Sequence, residues 1–483
     1  MNKQIWGKGL IVFFSFLSCL VSPGNLMAQT HDVSITIYLR GVYDSKISLL
    51  AMSVSKTYKP ILEVQGIKDG ETTKLTVPAD HLPGEFVLRF DYRETASSTP
   101  YPSEKNMFIY DQDLELRVSP KYCNNGDSTK FQEGERENAA FLAFSKENGK
   151  QKEKLGLLQN FLMNYDDTGS KFYQLGTKEY EQRRETYNKW LKTRAEQDKA
   201  LFVSNLYAFQ YVPQIPWKGS ETDRIHSLIS HYFDGMDFKN PLLVKTSDIN
   251  KWMDNYVNLY GQLSTTVALR DSLFPLAGRN AIEKARLGDP LVYGWMVDYF
   301  YRGYESNAMD AGMKILEPYM NDPNCLTSKR QEIARRLKGM ETLVPGSIAP
   351  DISLKDPEGN QFELQTFETQ SKYILVLFWS ADCSHCAELV GSVYPWQQQT
   401  DIQKKIAVIA VSLDETDTEI KAWDKKIPDL KEWKHLRAPE GVRSKAAGDY
   451  FVLATPVMVL LDAKTRAIVA TPNTLDELKK AMQ

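Results

Sequence analysis

The chain has 483 residues, 42% of them hydrophobic and 25% charged, and its 59 basic and 62 acidic side chains give a formal net charge of −3. That length exceeds a single hydrophobic core and predicts about two to four domains, and the apolar fraction excludes a disordered or fibrous chain. So small a charge gives no electrostatic basis for binding nucleic acid.

At the start, Lys3 and Lys8 form a short basic region, Leu10 to Val21 is almost wholly apolar, and Leu26-Met27-Ala28 ends on a small residue. This is the pattern of a signal peptide over residues 1–28, and an apolar run of about a dozen residues is too short to span a bilayer. Its removal takes two lysines and no acid, leaving a mature charge of −5. No later segment approaches the roughly 18 consecutive apolar residues of a spanning helix. The mature chain is therefore expected in the periplasm or cell envelope, with no transmembrane helix. Phe16-Leu17-Ser18-Cys19 loosely resembles a lipoprotein cleavage box. Lipid anchoring at Cys19 is the lesser reading beside an apolar filler of the signal segment.

Residues 29–122 read as an all-β, sandwich-like module. Val33, Ile35, Ile37 and Leu39 alternate with polar or amphipathic residues, the period of a half-buried strand. Further strands are expected at Lys46–Val54, Pro60–Ile67, Thr72–Val77, Glu85–Tyr92 and Met107–Val118, with Asp69-Gly70 and Pro83-Gly84 as turns. Residues 134–342 read as α-helical. Leu155, Leu158, Phe161 and Leu162 recur at helical spacing, as do Trp252, Tyr256, Leu259 and Leu263. Pro213, Pro216, Pro275, Pro290 and Pro318 are expected to divide this stretch into several helices.

Val344-Pro345-Gly346-Ser347 opens an α/β segment over 344–483. Tyr373–Trp379, Ile406–Val411 and Val457–Leu461 are continuous apolar runs, as expected of strands buried on both faces. Helices are expected around Ala387–Gln399, Thr418–Lys426 and Leu475–Met482.

Chemistry concentrates at Cys383-Ser-His-Cys386, between the first apolar run and a helix. A cysteine at a helix N-terminus meets free N–H groups and the positive end of the helix dipole, which favour thiolate over thiol. Cys386, one turn later, is placed to close a disulfide, so Cys383 can attack a substrate disulfide and Cys386 can resolve the mixed disulfide. A zinc site would need two more ligands. Cys123 and Cys325 are isolated, and His226 and His231 are off-register for one helix face, so no metal or other cofactor is expected. Cys123 and Cys325 either form an interdomain disulfide or are buried free thiols.

Downstream, Ala454-Thr455-Pro456 stands directly before the third apolar run. Together with the strand, C-x-x-C, helix order, this resembles the thioredoxin family, and most closely the TlpA/ResA-type thioredoxins of bacterial envelopes. Ile348-Ala349-Pro350-Asp351, Asp356-Pro357-Glu358-Gly359 and the spacing from Phe378-Trp379 to Cys383 carry the likeness, over roughly 344–483. The resemblance implies a thioredoxin-like fold, a cis Thr455–Pro456 bond, and Thr455 and Pro456 at the substrate-binding position. It also implies disulfide-containing envelope proteins as partners and a membrane or periplasmic thiol as electron donor. Three positions depart from the family. Asp382 stands where a Trp often precedes the first cysteine, Leu377 where thioredoxin has a buried acid, and Leu389 where the ResA-like branch has a Glu; Glu388 is the nearest acid. His385 resembles the strongly oxidising DsbA type, and its charge opposes that of Asp382, so these two residues are expected to tune the redox poise. The expected function is an exported thiol–disulfide oxidoreductase, a disulfide reductase acting through Cys383 and Cys386. The competing reading is a non-catalytic envelope scaffold with a structural thioredoxin-like domain. A peroxidase lacks its upstream context here.

Overall fold

A computed structural model describes residues 31–52, 60–307 and 309–483; the signal segment and Cys19 lie outside the described residues. The chain forms two compact units, one running to Gln210 and including Lys245–Ser247, the other comprising Tyr211–Val244 and Asp248–Gln483. The helical stretch is therefore shared between them.

In the first unit, β1 (Val33–Leu39), β2 (Asp44–Ala51), β3 (Pro60–Lys68), β4 (Thr72–Val77), β5 (Gly84–Arg93), β6 (Tyr101–Ile109), β7 (Leu114–Val118) and β8 (Lys130–Phe131) make two four-stranded sheets. Their orders are β4-β1-β7-β8 and β3-β2-β5-β6. Val33, Ile35, Ile37 and Leu39 all point into a core shared by the two sheets, as their alternation requires. The run from Met107 to Val118 is two strands rather than one. β6 pairs with β5 in one sheet and β7 with β1 in the other, and the polar segment around Asp111-Gln112-Asp113 carries the chain across. Cys123 belongs to this core as a free thiol.

The same unit holds α1 (Glu137–Asn164) and α2 (Lys171–Gln197). Glu137, at the start of α1, is buried and accepts hydrogen bonds from the main-chain N–H groups of Phe202 at 2.9 Å and Val203 at 3.0 Å. Burial outweighs these bonds and pushes its pKa from the ordinary 4.5 up to about 7. The folded chain thus keeps a proton that the unfolded chain releases. This contribution is present below about pH 4.5 and lost as the pH rises through 7, up to ~3 kcal/mol. Glu137→Gln should therefore gain stability relative to wild type across that interval in denaturant unfolding. Parallel pH curves for the two chains would show that Glu137 does not titrate there.

The second unit begins with α3 (Glu221–Ser230), α4 (Asp248–Leu263), α5 (Val267–Arg286), α6 (Pro290–Ser306), α7 (Asp310–Ile315), α8 (Glu317–Met320) and α9 (Arg330–Thr342). Pro290 and Pro318 open helices as expected, but Pro275 does not end one: it lies inside α5. An interior proline forfeits a helix hydrogen bond, and here its buried position among Ala277, Ala281 and Ile282 on the packed face keeps the helix continuous. Cys325, in the loop before α9, is also a buried free thiol.

The unit continues through β9 (Ser353–Lys355), β10 (Gln361–Glu363), β11 (Tyr373–Trp379), α10 (Ser384–Gln397), α11 (Thr400–Gln403), β12 (Ile406–Ser412) and α12 (Asp417–Lys426). It closes with β13 (Lys434–Arg437), α13 (Lys445–Asp449), β14 (Val457–Asp462), β15 (Ile468–Ala470) and α14 (Leu475–Ala481). The strands form one sheet in the order β10-β9-β13-β12-β11-β14-β15. β11, β12 and β13 are parallel, and β14 is antiparallel to β11. All seven residues of β11 are buried. Ile374, Val376 and Phe378 enter the core on one face, while Leu375, Leu377 and Trp379 enter the core on the other. That double burial is why the strand reads as an unbroken apolar run. The chain thus has the expected three-part fold class: a β sandwich, a helical region and a C-terminal thioredoxin-like α/β fold.

Candidate functional site

The site lies at the carboxyl end of β11. Three residues, Ser380, Ala381 and Asp382, separate Trp379 from Cys383, which is the N-cap of α10. Cys383 has an extended backbone, with φ −95° and ψ 120°, and its Sγ accepts a hydrogen bond from the Cys386 N–H at 3.3 Å. A sulfur thus occupies the capping position usually held by a serine or aspartate oxygen. Cys383 is half-buried and Cys386 fully buried, on the helix face that also buries Val390 and Val393.

Opposite the pair, the Thr455–Pro456 bond is cis and leads into β14. The Cys383 Sγ lies 3.7 Å from the main-chain oxygen of Thr455. Residues 72 positions apart in sequence are thereby brought to one sulfur. Asp382 and His385 are adjacent in the loop and first helical turn, and both side chains are exposed to solvent.

The two thiols are electrostatically unequal. Burial opposes a thiolate at Cys383, but the Cys386 thiol, the Cys386 and His385 main-chain N–H groups and the Thr455 side chain together outweigh it and hold the pKa below the usual thiol range. Burial dominates at Cys386 and pushes its thiol up to about 12. One cysteine is ready to attack, and the other keeps its proton until it is needed. The His385 main chain thus acts on Cys383 directly, as part of the exposed helix start.

Asp414 and its partners Ser380, Ala381 and Ser412, which sequence reasoning did not assign to the site, complete it. The carboxylate of Asp414, just past β12, is 1% exposed. It accepts from the Ser380 hydroxyl at 2.5 Å, the Ala381 N–H at 3.1 and 3.2 Å, and the Ser412 hydroxyl at 2.7 Å. The sequence shows only an acid within three residues of the end of an apolar run, and it is the parallel pairing of β12 with β11 that brings it to the same end of the sheet as Cys383. The positions of the family acids hold Leu377, fully buried, and Leu389, half-buried, while Glu388 is exposed. Among the described residues no group of three or more His, Cys, Asp or Glu is placed to hold a metal ion, and no helix is long and apolar enough to cross a membrane.

Residues 370–467 match a family model described as thioredoxin-like. No curated protein sequence matches the chain. Among solved structures, a thioredoxin-like protein from Bacteroides caccae is 18% identical, with 56% of this chain and 96% of that one covered and a TM-score of 0.38. The thioredoxin domain of a thiol-disulfide oxidoreductase from Bacteroides vulgatus is 26% identical over 29% of this chain and 99% of that one, with a TM-score of 0.25. A thiol:disulfide interchange protein from a Bacteroides species is 29% identical over 29% and 88%, with a TM-score of 0.24. The C-terminal domain is thioredoxin-like by its family match and carries a vicinal pair of unequal cysteines where the first parallel strand meets its helix.

Proposed function

We propose that this chain is an exported thiol–disulfide oxidoreductase that reduces disulfides in envelope proteins and is itself recharged by a membrane or periplasmic thiol donor. The observation that carries the reading is the asymmetric pair: Cys383 capping α10 with its pKa lowered, Cys386 buried beside it with its pKa near 12. In the forward step the Cys383 thiolate attacks a substrate disulfide, forming a mixed disulfide and expelling one substrate thiolate. Cys386 then loses its proton and attacks the Cys383 sulfur. The second substrate thiolate leaves, and the Cys383–Cys386 disulfide forms as the substrate is reduced by two electrons. Thr455, whose main-chain oxygen faces Cys383, is assigned to the substrate backbone with Pro456 beside it.

The reductase direction rests on the TlpA/ResA resemblance of residues 344–483. The lowered Cys383 pKa stabilises the reduced form and works against that direction, and the buried Cys386 thiol adds nothing to it at neutral pH, so the reduction potential decides between them. Asp382 and His385 are assigned to tuning the redox poise from the solvent side, where screening weakens the influence of exposed side chains. Export is supported by the basic and apolar pattern of residues 1–28.

The test has two parts. Wild type should reduce insulin with dithiothreitol as donor, and Cys386→Ser should accumulate mixed disulfides through Cys383. A reduction potential near thioredoxin's about −270 mV is expected; about −120 mV would reverse the direction, and a value well below −300 mV with no insulin reduction would leave an inert structural disulfide.

A further inference from the structure

Attack by Cys383 and resolution by Cys386 make different demands on the loop between β11 and α10. Cys383 is activated from the helix side, by the N–H groups of His385 and Cys386. Cys386 is buried within that helix, whereas the Cys383 main-chain N–H donates to the Ser380 oxygen at 3.4 Å, so the loop sets where the Cys383 sulfur stands relative to Cys386. Attack on an outside disulfide needs only an accessible thiolate, whereas resolution needs the two sulfurs in register, so whatever fixes Ser380 bears on the second step more than on the first.

The loop is fixed by one buried side chain on another strand. The Asp382 N–H donates to the Ser380 hydroxyl at 3.3 Å, and that hydroxyl donates in turn to Asp414. The Ala381 N–H spans both oxygens of the same carboxylate. All three residues before Cys383 are thus tied, directly or through Ser380, to Asp414. Asp414 is held from behind by Ser412, which donates to its carboxylate and accepts from its N–H at 3.1 Å. Arg437, on β13, donates to the Asp414 main-chain oxygen at 3.4 Å. Among the described residues no cation pairs with the carboxylate itself, so its hydrogen bonds to the loop and to Ser412 are what satisfy it.

We propose that Asp414 is a positioning residue for resolution, clamping Ser380–Ala381–Asp382 so that Cys386 meets the Cys383 mixed disulfide in register. It touches neither sulfur and acts through Ser380. The proposal rests on the dithiol exchange described above, but the thiol chemistry that tests it needs no biological substrate.

The probe is one equivalent of dithiobis(nitrobenzoate) mixed with the reduced full chain in stopped flow. Cys383 attacks the reagent disulfide and releases one aromatic thiolate. Cys386 then gives its proton to solvent, displaces the second thiolate and closes the Cys383–Cys386 disulfide, the reagent taking up two electrons. Reaction at the buried Cys123 and Cys325 is subtracted using the Cys383→Ser/Cys386→Ser chain. Asp414→Ala should leave the first release within about twofold of wild type and slow the second by tenfold or more, the scale of loss when a reacting pair is misplaced. Ser380→Ala, which breaks one tether and leaves the Ala381 bond, should slow the second release by a smaller factor. Asp414→Asn can still accept from the loop, so it should restore the second release to about the wild-type rate. Three results would overturn the proposal: a wild-type second step in Asp414→Ala, equal slowing of both steps in Asp414→Ala and Ser380→Ala, or Asp414→Asn as slow as Asp414→Ala. Failure to reduce insulin, with these ratios as expected, would instead count against the proposed function alone.

Discussion

Iodoacetamide at neutral pH should alkylate Cys383 at least about 30-fold faster than Cys386. A thiol reacts as its thiolate, and intrinsic nucleophilicity falls with pKa by a Brønsted slope of about 0.4–0.5. Cys386 is pushed up to about 12 and Cys383 lies below the ordinary 9.0, a gap of more than three units. A little over half of each unit survives as rate, giving a factor of about 30 or more before the burial of Cys386 adds steric protection. The Cys383 rate should climb with pH and level off below the usual thiol range, because its thiolate is the form stabilised in the folded chain. Cys383→Ser should remove the fast phase and reduce insulin turnover to the uncatalysed background, whereas Cys386→Ser should keep the fast phase. Equal alkylation of the two cysteines would contradict the asymmetry on which the proposed function stands.

Much of this site could be read in the sequence because its parts are local. The apolar run Tyr373–Trp379, the C-x-x-C spacing and the helix after it occupy consecutive residues, and the observed elements start and stop within a few residues of those expected. Thr455-Pro456 was legible through resemblance rather than through physics, since nothing in its composition announces that it faces a cysteine 72 residues away. Asp414 was illegible for the same reason in sharper form. A charged residue after a strand reads as a solvated turn, and only the parallel pairing of β11 with β12 puts it behind the redox loop. The missed strands β9, β10, β13 and β15 have three or four residues each, too short for a period-2 signal, and Lys434-His435-Leu436-Arg437 is mostly polar. The prolines of the helical region misled once. Pro275 fits a helix break by local rules, and tertiary burial overrides them.

The largest stability effect should come from Gly294→Ala, within α6. A Cβ built there would stand 2.2 Å from the main-chain carbon of Leu326, 2.3 Å from its oxygen and 2.6 Å from the Thr327 nitrogen. All three are backbone atoms, so no rotamer change relieves the overlap and either α6 or the loop carrying Cys325 must move. That loop is tightly held: Thr327 and Ser328 hydroxyls and the Ser328 N–H all donate to Asp298, a buried acid on the same helix α6. Separating helix from loop would break these bonds and leave a buried carboxylate undersatisfied. The expected loss is about 3 kcal/mol or more, overpacking and the broken hydrogen bonds acting together. Denaturant unfolding measures it. Under native conditions, however, Cys383 alkylation in Gly294→Ala should stay within about twofold of wild type, because the groups that activate Cys383 come from α10 and Thr455 and none from α6. A large fall in the alkylation rate of the folded variant would mean that the helical part of this unit reaches the thiol. The link would then run through α9, where Arg335 donates to the Ala447 oxygen and Gly339 packs against Phe451, four residues before Thr455.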